Sequence, residues 1–171
     1  IQGLASGLQN VGNVRSVGFE AAGDLKLGGG FGAYASYSYT DATYRNDVLD
    51  GNQKLVAAIK GKTVVDTPKH MLRGEVNYDQ GPIFGRIGAN YMGRRYFTYT
   101  NDQSVPSRVI VDATLGYRFT DKIEVQLNAT NLFDKQYIGT IGSGGFSNSG
   151  DGQTLLVGAP QQVFVTLKAG F

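Results

Sequence analysis

Seven segments of this chain alternate apolar and polar residues with a period of two, and no charged residue interrupts the apolar positions in the middle of them. The segments are residues 14–27, 31–44, 70–79, 83–97, 108–119, 123–133 and 161–171. This period predicts β-strands, because successive side chains of a strand point to opposite faces of the sheet. All seven are longer than the five or six residues usual in soluble strands, and about 9 to 11 tilted residues cross a bilayer. The alternation predicts an all-β protein with strands of membrane-spanning length.

The two faces of each predicted strand differ sharply in character. In the segment 123–133 the apolar positions are Ile123, Val125, Leu127 and Ala129, and the polar positions between them are Glu124, Gln126 and Asn128. A soluble β-sandwich, acting as a binding module, would show the same alternation because it buries one face of each sheet. The alternation alone therefore leaves both a sandwich and a membrane barrel open.

The connections between the segments favour the barrel. They alternate between short turns, at residues 28–30, 80–82 and 120–122, and longer loops, at residues 45–69, 99–107 and 134–160. Short periplasmic turns and longer external loops are typical of outer-membrane barrels. The prediction is a transmembrane antiparallel β-barrel, with the short turns in the periplasm. Because single-chain bacterial barrels have an even number of strands, seven strands indicate one part of a larger barrel.

Composition and charge exclude several other classes of protein. The 171 residues include 25 Gly, 10 Tyr and 9 Phe but no Cys or Trp, which suits many turns and aromatic belts. A net charge of +2 without a basic cluster argues against a nucleic-acid partner. His70 is the only histidine, and one histidine without cysteine does not build an ordinary zinc site. We expect no enzyme activity and no cofactor.

The last third of the chain carries motifs of a known family. Residues 128–137 read Asn-Ala-Thr-Asn-Leu-Phe-Asp-Lys-Gln-Tyr, residues 158–162 read Gly-Ala-Pro-Gln-Gln, and the last residue is Phe171. This pattern resembles the C-terminus of TonB-dependent outer-membrane receptors. The resemblance implies a 22-stranded barrel in the bacterial outer membrane and import of a ferric siderophore or similar nutrient, with energy delivered through the TonB complex. Residues 1–171 are then the C-terminal portion of the barrel, and the plug domain and earlier strands are absent from this chain.

The predicted ligand-binding residues are Arg94, Tyr96 and Tyr99, at the external end of the fourth segment. Strict alternation turns Arg94 and Tyr96 into the lumen and Arg95 outward. Arginine and tyrosine would offer an anionic ferric complex charge-assisted hydrogen bonds and an aromatic wall. The structural alternative gives Arg94 a lumen ion pair and sets Arg95 against lipopolysaccharide phosphates.

Two further expectations concern the end of the chain. Phe171, preceded by alternating apolar residues, resembles the assembly signal that the barrel assembly machinery recognises. The Gly-rich residues 142–152 predict a mobile external loop that closes over substrate. The expected partners are thus a nutrient ligand, TonB, the assembly machinery, and outer-membrane lipid with lipopolysaccharide. A passive porin-like channel remains the alternative function.

Overall fold

The computed structural model describes residues 13–49, 51–142 and 154–170, and the regular elements within them are β-strands. In chain order these are β1 (Val14–Gly28), β2 (Phe31–Tyr44), β3 (Val48–Leu49), β4 (Leu55–Ala57), β5 (His70–Gln80), β6 (Ile83–Met92), β7 (Arg95–Tyr96), β8 (Ser104–Val105), β9 (Arg108–Thr120), β10 (Ile123–Thr130), β11 (Ile138–Ile141), β12 (Leu155–Val157) and β13 (Gln162–Ala169). Seven of them form one antiparallel sheet in the order β1-β2-β5-β6-β9-β10-β13. The predicted all-β fold with seven long strands is confirmed. No helix in the described residues is long and apolar enough to span a membrane.

Short turns join β1 to β2, β5 to β6 and β9 to β10. The first of these uses three glycines, Gly28, Gly29 and Gly30, all with φ between 58° and 84°. Side chains rarely adopt this left-handed conformation, so glycine lets the chain reverse tightly there. The longer connections at the opposite end fold into three small hairpins, β3–β4, β7–β8 and β11–β12.

The register of the sheet keeps the apolar positions on one face across all seven strands. Phe19 lies opposite Tyr39, Leu72 opposite Tyr91, and Leu115 opposite Leu127. This face is open, since Leu115 is 61% exposed. A continuous apolar face of this extent is not tolerated in water by a soluble monomer, whereas it is what the hydrocarbon of a membrane solvates. The register therefore supports the predicted lipid-facing side.

Aromatic side chains occupy both ends of the apolar face. Phe31 and Tyr78 lie beside the short turns, with ring centres 4.7 Å apart. At the loop end, the rings of Tyr39 and His70 are 5.2 Å apart, and the hydroxyl of Tyr37 lies 2.8 Å from Nδ1 of His70. Two such belts are expected where strands meet the two membrane interfaces. His70 is thus a member of the external belt.

Two predicted strands end earlier than expected. β6 ends at Met92 rather than residue 97: the N–H of Gly93 still bonds the carbonyl of His70 (2.8 Å), in register with the pairing of Met71 and Met92, and the chain then enters the β7–β8 hairpin. β10 ends at Thr130 rather than residue 133, because Asn131 adopts a left-handed φ of 49°. The last strand is observed as Gln162–Ala169, and Phe171 lies outside the described residues.

A small apolar core stabilises the loop end on the polar side of the sheet. Tyr44, Val48 and Ile59 are its buried members, and Tyr99 packs against them. Asn101 joins two loops here: its Oδ1 accepts the N–H of Thr63 (2.6 Å) and its Nδ2 donates to the Thr63 carbonyl (3.0 Å). The first two external loops therefore form one packed unit.

The sheet has two edges, β1 and β13, and neither has a second strand partner within the described residues. Unpaired backbone groups at a sheet edge are costly in hydrocarbon, so membrane sheets close into barrels. The seven strands therefore require further strands between β13 and β1 to form a stable membrane structure.

Candidate functional site

A cavity of about 730 Å³ lies on the polar side of the sheet, toward the loop end. Its walls combine cations, thioethers and aromatic rings, including Met71, Arg73, Met92, Arg108 and Tyr137. In a barrel this side faces the lumen, because the apolar side faces lipid. We call this space the lumen cavity.

Arg108, at the start of β9, is held in the wall by three contacts. Its guanidinium lies over the ring of Tyr137, 4.3 Å from the ring centre. Nη1 donates to the carbonyl of Ile138 (3.1 Å), and Nη2 lies 3.7 Å from the sulfur of Met92. None of these partners is a carboxylate, so the charge of Arg108 is left available to an anion in the cavity.

Arg95 donates to the same carbonyl of Ile138 as Arg108 and is the more buried of the two arginines. It is 5% exposed, donates from Nη2 to Ile138 (2.8 Å) and from Nη1 to Asp66 (2.6 Å). Asp66 pairs with Arg95, and Arg108 has no ion pair within the described residues. Among those residues the group of Arg95, Arg108 and Asp66 carries one excess positive charge, and it joins three external loops.

The predicted orientation of Arg94, Arg95 and Tyr96 is wrong. Arg94 and Tyr96 line a second cavity together with His70 and Tyr91, which belong to the apolar face, whereas Arg95 is buried among the loops. Strict alternation had placed Arg94 and Tyr96 in the lumen and Arg95 against lipopolysaccharide. The prediction fails because β6 ends at Met92, so the residues after Gly93 no longer follow the alternation of that strand. Binding of a ligand by Arg94 or Tyr96 stays a prediction.

Tyr99 contributes to loop packing. Its ring lies 6.0 Å from that of Tyr44, against the small apolar core. It does not line the lumen cavity or the second cavity. Tyr99 therefore does not line the cavity that Arg94 and Tyr96 share, and its predicted ligand role also stays a prediction.

Residues of the motif that resembles the family, Asn131 and Gln161 among them, join the two ends of the last external loop by hydrogen bonds. Asn131, 3% exposed, donates its N–H to Asp112 (2.9 Å), and its side chain bonds both ends of the loop, at Lys135 (2.8 and 3.0 Å) and Ala159 (3.0 Å). Gln161 completes the closure: its N–H donates to Asp134 (2.9 Å) and its Nε2 to the carbonyl of Leu132 (2.7 Å). These residues are structural. Sequence reasoning recognised their pattern but not this role.

Tyr137 is fixed between Arg108 and a glycine of the same motif. A Cβ added to Gly158 would lie 2.0 Å from ring atoms of Tyr137, and the Gly158 N–H donates to the Tyr137 carbonyl (2.8 Å). Only glycine leaves room for the ring at this position. Sequence inspection identified Gly158 and Tyr137 as motif residues, but the contact that positions a cavity wall becomes visible only in three dimensions.

We predict that Gly158→Ala displaces the Tyr137 ring and destabilises the last external loop. An added methyl group in a filled space costs about 1 kcal/mol at a site that can partly relax. Limited proteolysis of the full-length protein measures the change as faster cleavage in the last loop. Gly51→Ala is the matched control, since a Cβ at Gly51 meets nothing within 4 Å. Equal cleavage of the two variants would contradict the packing of Tyr137 on Gly158.

Charged side chains on the polar face are paired toward the turn end of the sheet. Arg118 contacts Asp79 (2.7 Å) and Glu124 (3.6 Å), and Glu124 also contacts Lys168 (3.0 Å). Arg118 and Glu124 thus pair across β9 and β10. Arg73 and Glu75 (3.1 Å) pair along one strand. These pairs hold the wall together and leave no group of three or more His, Cys, Asp or Glu for a metal ion within the described residues.

Comparison with known proteins identifies the family. Residues 2–132 match the family described as TonB dependent receptor-like, beta-barrel. The chain is 31% identical over 136 residues to the ferrichrome outer membrane transporter/phage receptor of Escherichia coli K12, covering 74% of this chain and 17% of that protein. It is 30% identical over 169 residues to the ferric-pyoverdine receptor PbuA of Pseudomonas sp. M114, covering 95% of this chain and 19% of the relative.

Solved structures show the same fold. The ferric yersiniabactin uptake receptor FyuA from Yersinia pestis superposes with a TM-score of 0.78 at 20% identity, over 95% of this chain and 24% of that chain. The siderophore receptor PiuA from Acinetobacter baumannii gives 0.76 at 21% identity, over 94% and 22%. The chain spans less than a quarter of each of these relatives. It belongs to the TonB-dependent receptor family of the Gram-negative outer membrane and forms part of the β-barrel of such a receptor.

Proposed function

We propose that the protein containing this chain imports a ferric siderophore or a similar scarce nutrient, with energy delivered through TonB. The lumen cavity carries this proposal, because it offers the guanidinium of Arg108, which has no ion pair within the described residues, and an aromatic wall below the external loops. The relatives named for ferrichrome and ferric pyoverdine support a ferric complex as ligand. The chain acts as a receptor wall and not as an enzyme, in keeping with relatives named as transporters and receptors.

Within the cavity, we propose that Arg108 and Tyr137 contact the ligand. Ferric siderophores present many oxygen atoms and are often anionic, and a guanidinium makes hydrogen bonds to such oxygens about twice as strong as neutral ones. Arg73 adds a second cation to the wall, although its contact with Glu75 (3.1 Å) offsets its charge. Arg94, Tyr96 and Tyr99 remain the residues proposed from sequence, and they lie outside this cavity.

We further propose that the chain is the C-terminal portion of its barrel, and that a plug domain and earlier strands complete the receptor. The plug would carry the contact with TonB. The assembly-signal role of Phe171 and recognition by the barrel assembly machinery remain predictions. So does closure of residues 142–152 over substrate, since most of that segment lies outside the described residues.

Uptake of iron by whole cells tests the function. The full-length receptor is expressed in iron-starved cells that lack their own siderophore receptors, and radioactive ferrichrome, ferric pyoverdine and ferrioxamine B are supplied in turn. We expect accumulation of at least one complex, abolished by a protonophore or by deletion of TonB. Accumulation that persists without energy would support the passive porin-like channel instead.

A further inference from the structure

Two thioethers interrupt the polar face of the sheet at the lumen cavity. Met71 and Met92 lie opposite each other on β5 and β6, and both line the cavity. They are the two methionines of the chain. Met71 is 37% exposed, and Met92 is half-buried. Both side chains are therefore open to small solutes that enter the lumen.

Met92 differs from Met71 in its neighbour. The sulfur of Met92 lies 3.7 Å from Nη2 of Arg108, which is its partner across β6 and β9. No such donor contacts the sulfur of Met71 within the described residues. Arg108 has no ion pair in the part of the chain that the structure describes, and the proposed function assigns its charge to the ligand. Chemistry at the Met92 sulfur therefore takes place beside the cation that the ligand needs.

A thioether is converted to a sulfoxide by two-electron oxidants of the peroxide class. The sulfur lone pair forms a bond to one oxygen of hydrogen peroxide while the O–O bond breaks. The proton of the transferred oxygen moves to the other oxygen, which leaves as water, so the sulfur is oxidised and the peroxide is reduced. A hydrogen-bond donor beside the sulfur stabilises the negative charge that develops on the leaving oxygen, and Nη2 of Arg108 occupies that place at Met92.

The product of this reaction is a polar group directed at Arg108. An oxygen bonded to a sulfur that already lies 3.7 Å from Nη2 can reach hydrogen-bond distance of the guanidinium by rotation of the side chain alone. Nη1 of Arg108 donates to the carbonyl of Ile138 (3.1 Å). With the sulfoxide bound at Nη2, fewer N–H groups of Arg108 remain for an anion in the cavity.

We propose that Met92 is an oxidation-sensitive modification site, and that its sulfoxide binds Arg108 and withdraws this cation from the imported ligand. The loss of affinity rests on the proposed function, since it requires that Arg108 contacts the ferric complex. Formation of the sulfoxide and its contact with Arg108 do not depend on that function. Peroxide outside the cell would thus reduce the uptake of iron, and enzymatic reduction of the sulfoxide would restore it.

Labelling of arginine tests the site without a ligand. Purified full-length receptor carrying Met71→Leu, which leaves Met92 as the one thioether of residues 1–171, is treated with hydrogen peroxide and then with phenylglyoxal, a reagent for accessible guanidiniums. Peptide mass spectrometry should show Met92 sulfoxide and several times slower modification of Arg108 than in the unoxidised receptor. Arg73, which lines the same cavity, should be modified at an unchanged rate. The proposal is overturned if Met92 resists peroxide that oxidises Met71 in the unaltered receptor, or if the rate at Arg108 does not change.

Binding before and after peroxide tests the consequence. Ferrichrome, ferric pyoverdine and ferrioxamine B are each titrated into the Met71→Leu and Met92→Leu receptors, since leucine replaces methionine with little change in volume. Peroxide should weaken binding about tenfold in Met71→Leu, the effect of losing one hydrogen bond to a charged group, and methionine sulfoxide reductase should restore it. Met92→Leu should bind equally before and after peroxide. An equal loss in both variants would assign the effect to other residues and overturn the proposal. If no complex binds the untreated receptor, the proposed function fails, and the labelling of Arg108 still decides the modification site.

Discussion

Leu115→Arg in the full-length protein is expected to lower the free energy of unfolding by about 2 to 4 kcal/mol, the cost of an arginine near the middle of a lipid-facing strand. Leu115 lies well inside β9, on the apolar face, opposite Leu127, and 61% of its surface is exposed on this sheet. A guanidinium at this position would be surrounded by the hydrocarbon of the membrane. Urea titration of the receptor folded into lipid vesicles measures the loss.

Thr114→Arg is the matched control, one residue earlier on the same strand. Thr114 faces the polar side, donates to Asn128 (3.0 Å), and lines open space of about 200 Å³ beside Arg86 and Asp112. An arginine there meets water and a carboxylate, so it should cost clearly less than Leu115→Arg. A larger loss for Thr114→Arg would reverse the assignment of the two faces.

Arg108→Ala is expected to weaken binding of the imported ferric complex by about 10-fold to 150-fold, since a hydrogen bond to a charged group contributes about 1.5 to 3 kcal/mol. The complex used is whichever member of the ferrichrome, pyoverdine and ferrioxamine panel supports uptake. Equilibrium binding to outer membranes is the measurement, with the amount of folded receptor determined in parallel. Arg108→Lys should recover only part of the affinity, because an ammonium lacks the planar fork of a guanidinium.

Arg45→Ala provides the comparison for a cation of the external loops that does not line the lumen cavity. It should leave the dissociation constant unchanged. Arg94→Ala in the same assay tests the prediction made from sequence, because a loss of affinity would assign Arg94 to the ligand site. If Arg108→Ala binds as tightly as Arg45→Ala, the lumen cavity is not the ligand site.

The sheet could be predicted from sequence because one of its faces contacts hydrocarbon and the other contacts a polar lumen. A strand that separates hydrocarbon from a polar lumen must alternate at every position, and a one-residue slip would expose its charges to lipid. The starts of β2, β5, β6, β9 and β10 were predicted to the residue. The two faces were also correct across these strands, as the pairing of Leu115 with Leu127 shows.

The external end could not be predicted in this way, because tertiary contacts and not alternation determine its structure. β6 ends at Met92 and the chain enters the β7–β8 hairpin, so that Arg94 and not Arg95 lies beside His70 and Tyr91 of the apolar face. Arg95 is buried because Asp66, 29 positions earlier, and Ile138, 43 positions later, both bind it. Contacts between loops this far apart leave no periodic pattern in the sequence.

Alternating accessibility along β10 is the most direct test of the central claim, that one face of this sheet contacts lipid and the other a polar lumen. Single cysteines are introduced at positions 123 to 129 of the full-length receptor and spin-labelled, a design helped by the absence of cysteine from this chain. Collision with oxygen, which concentrates in hydrocarbon, should peak at Ile123, Val125, Leu127 and Ala129. Collision with a water-soluble nickel complex should peak at Glu124, Gln126 and Asn128. If one reagent collides more often at all seven positions, or if the two reagents alternate in the opposite sense, the claim that this sheet has a lipid face and a lumen face is contradicted.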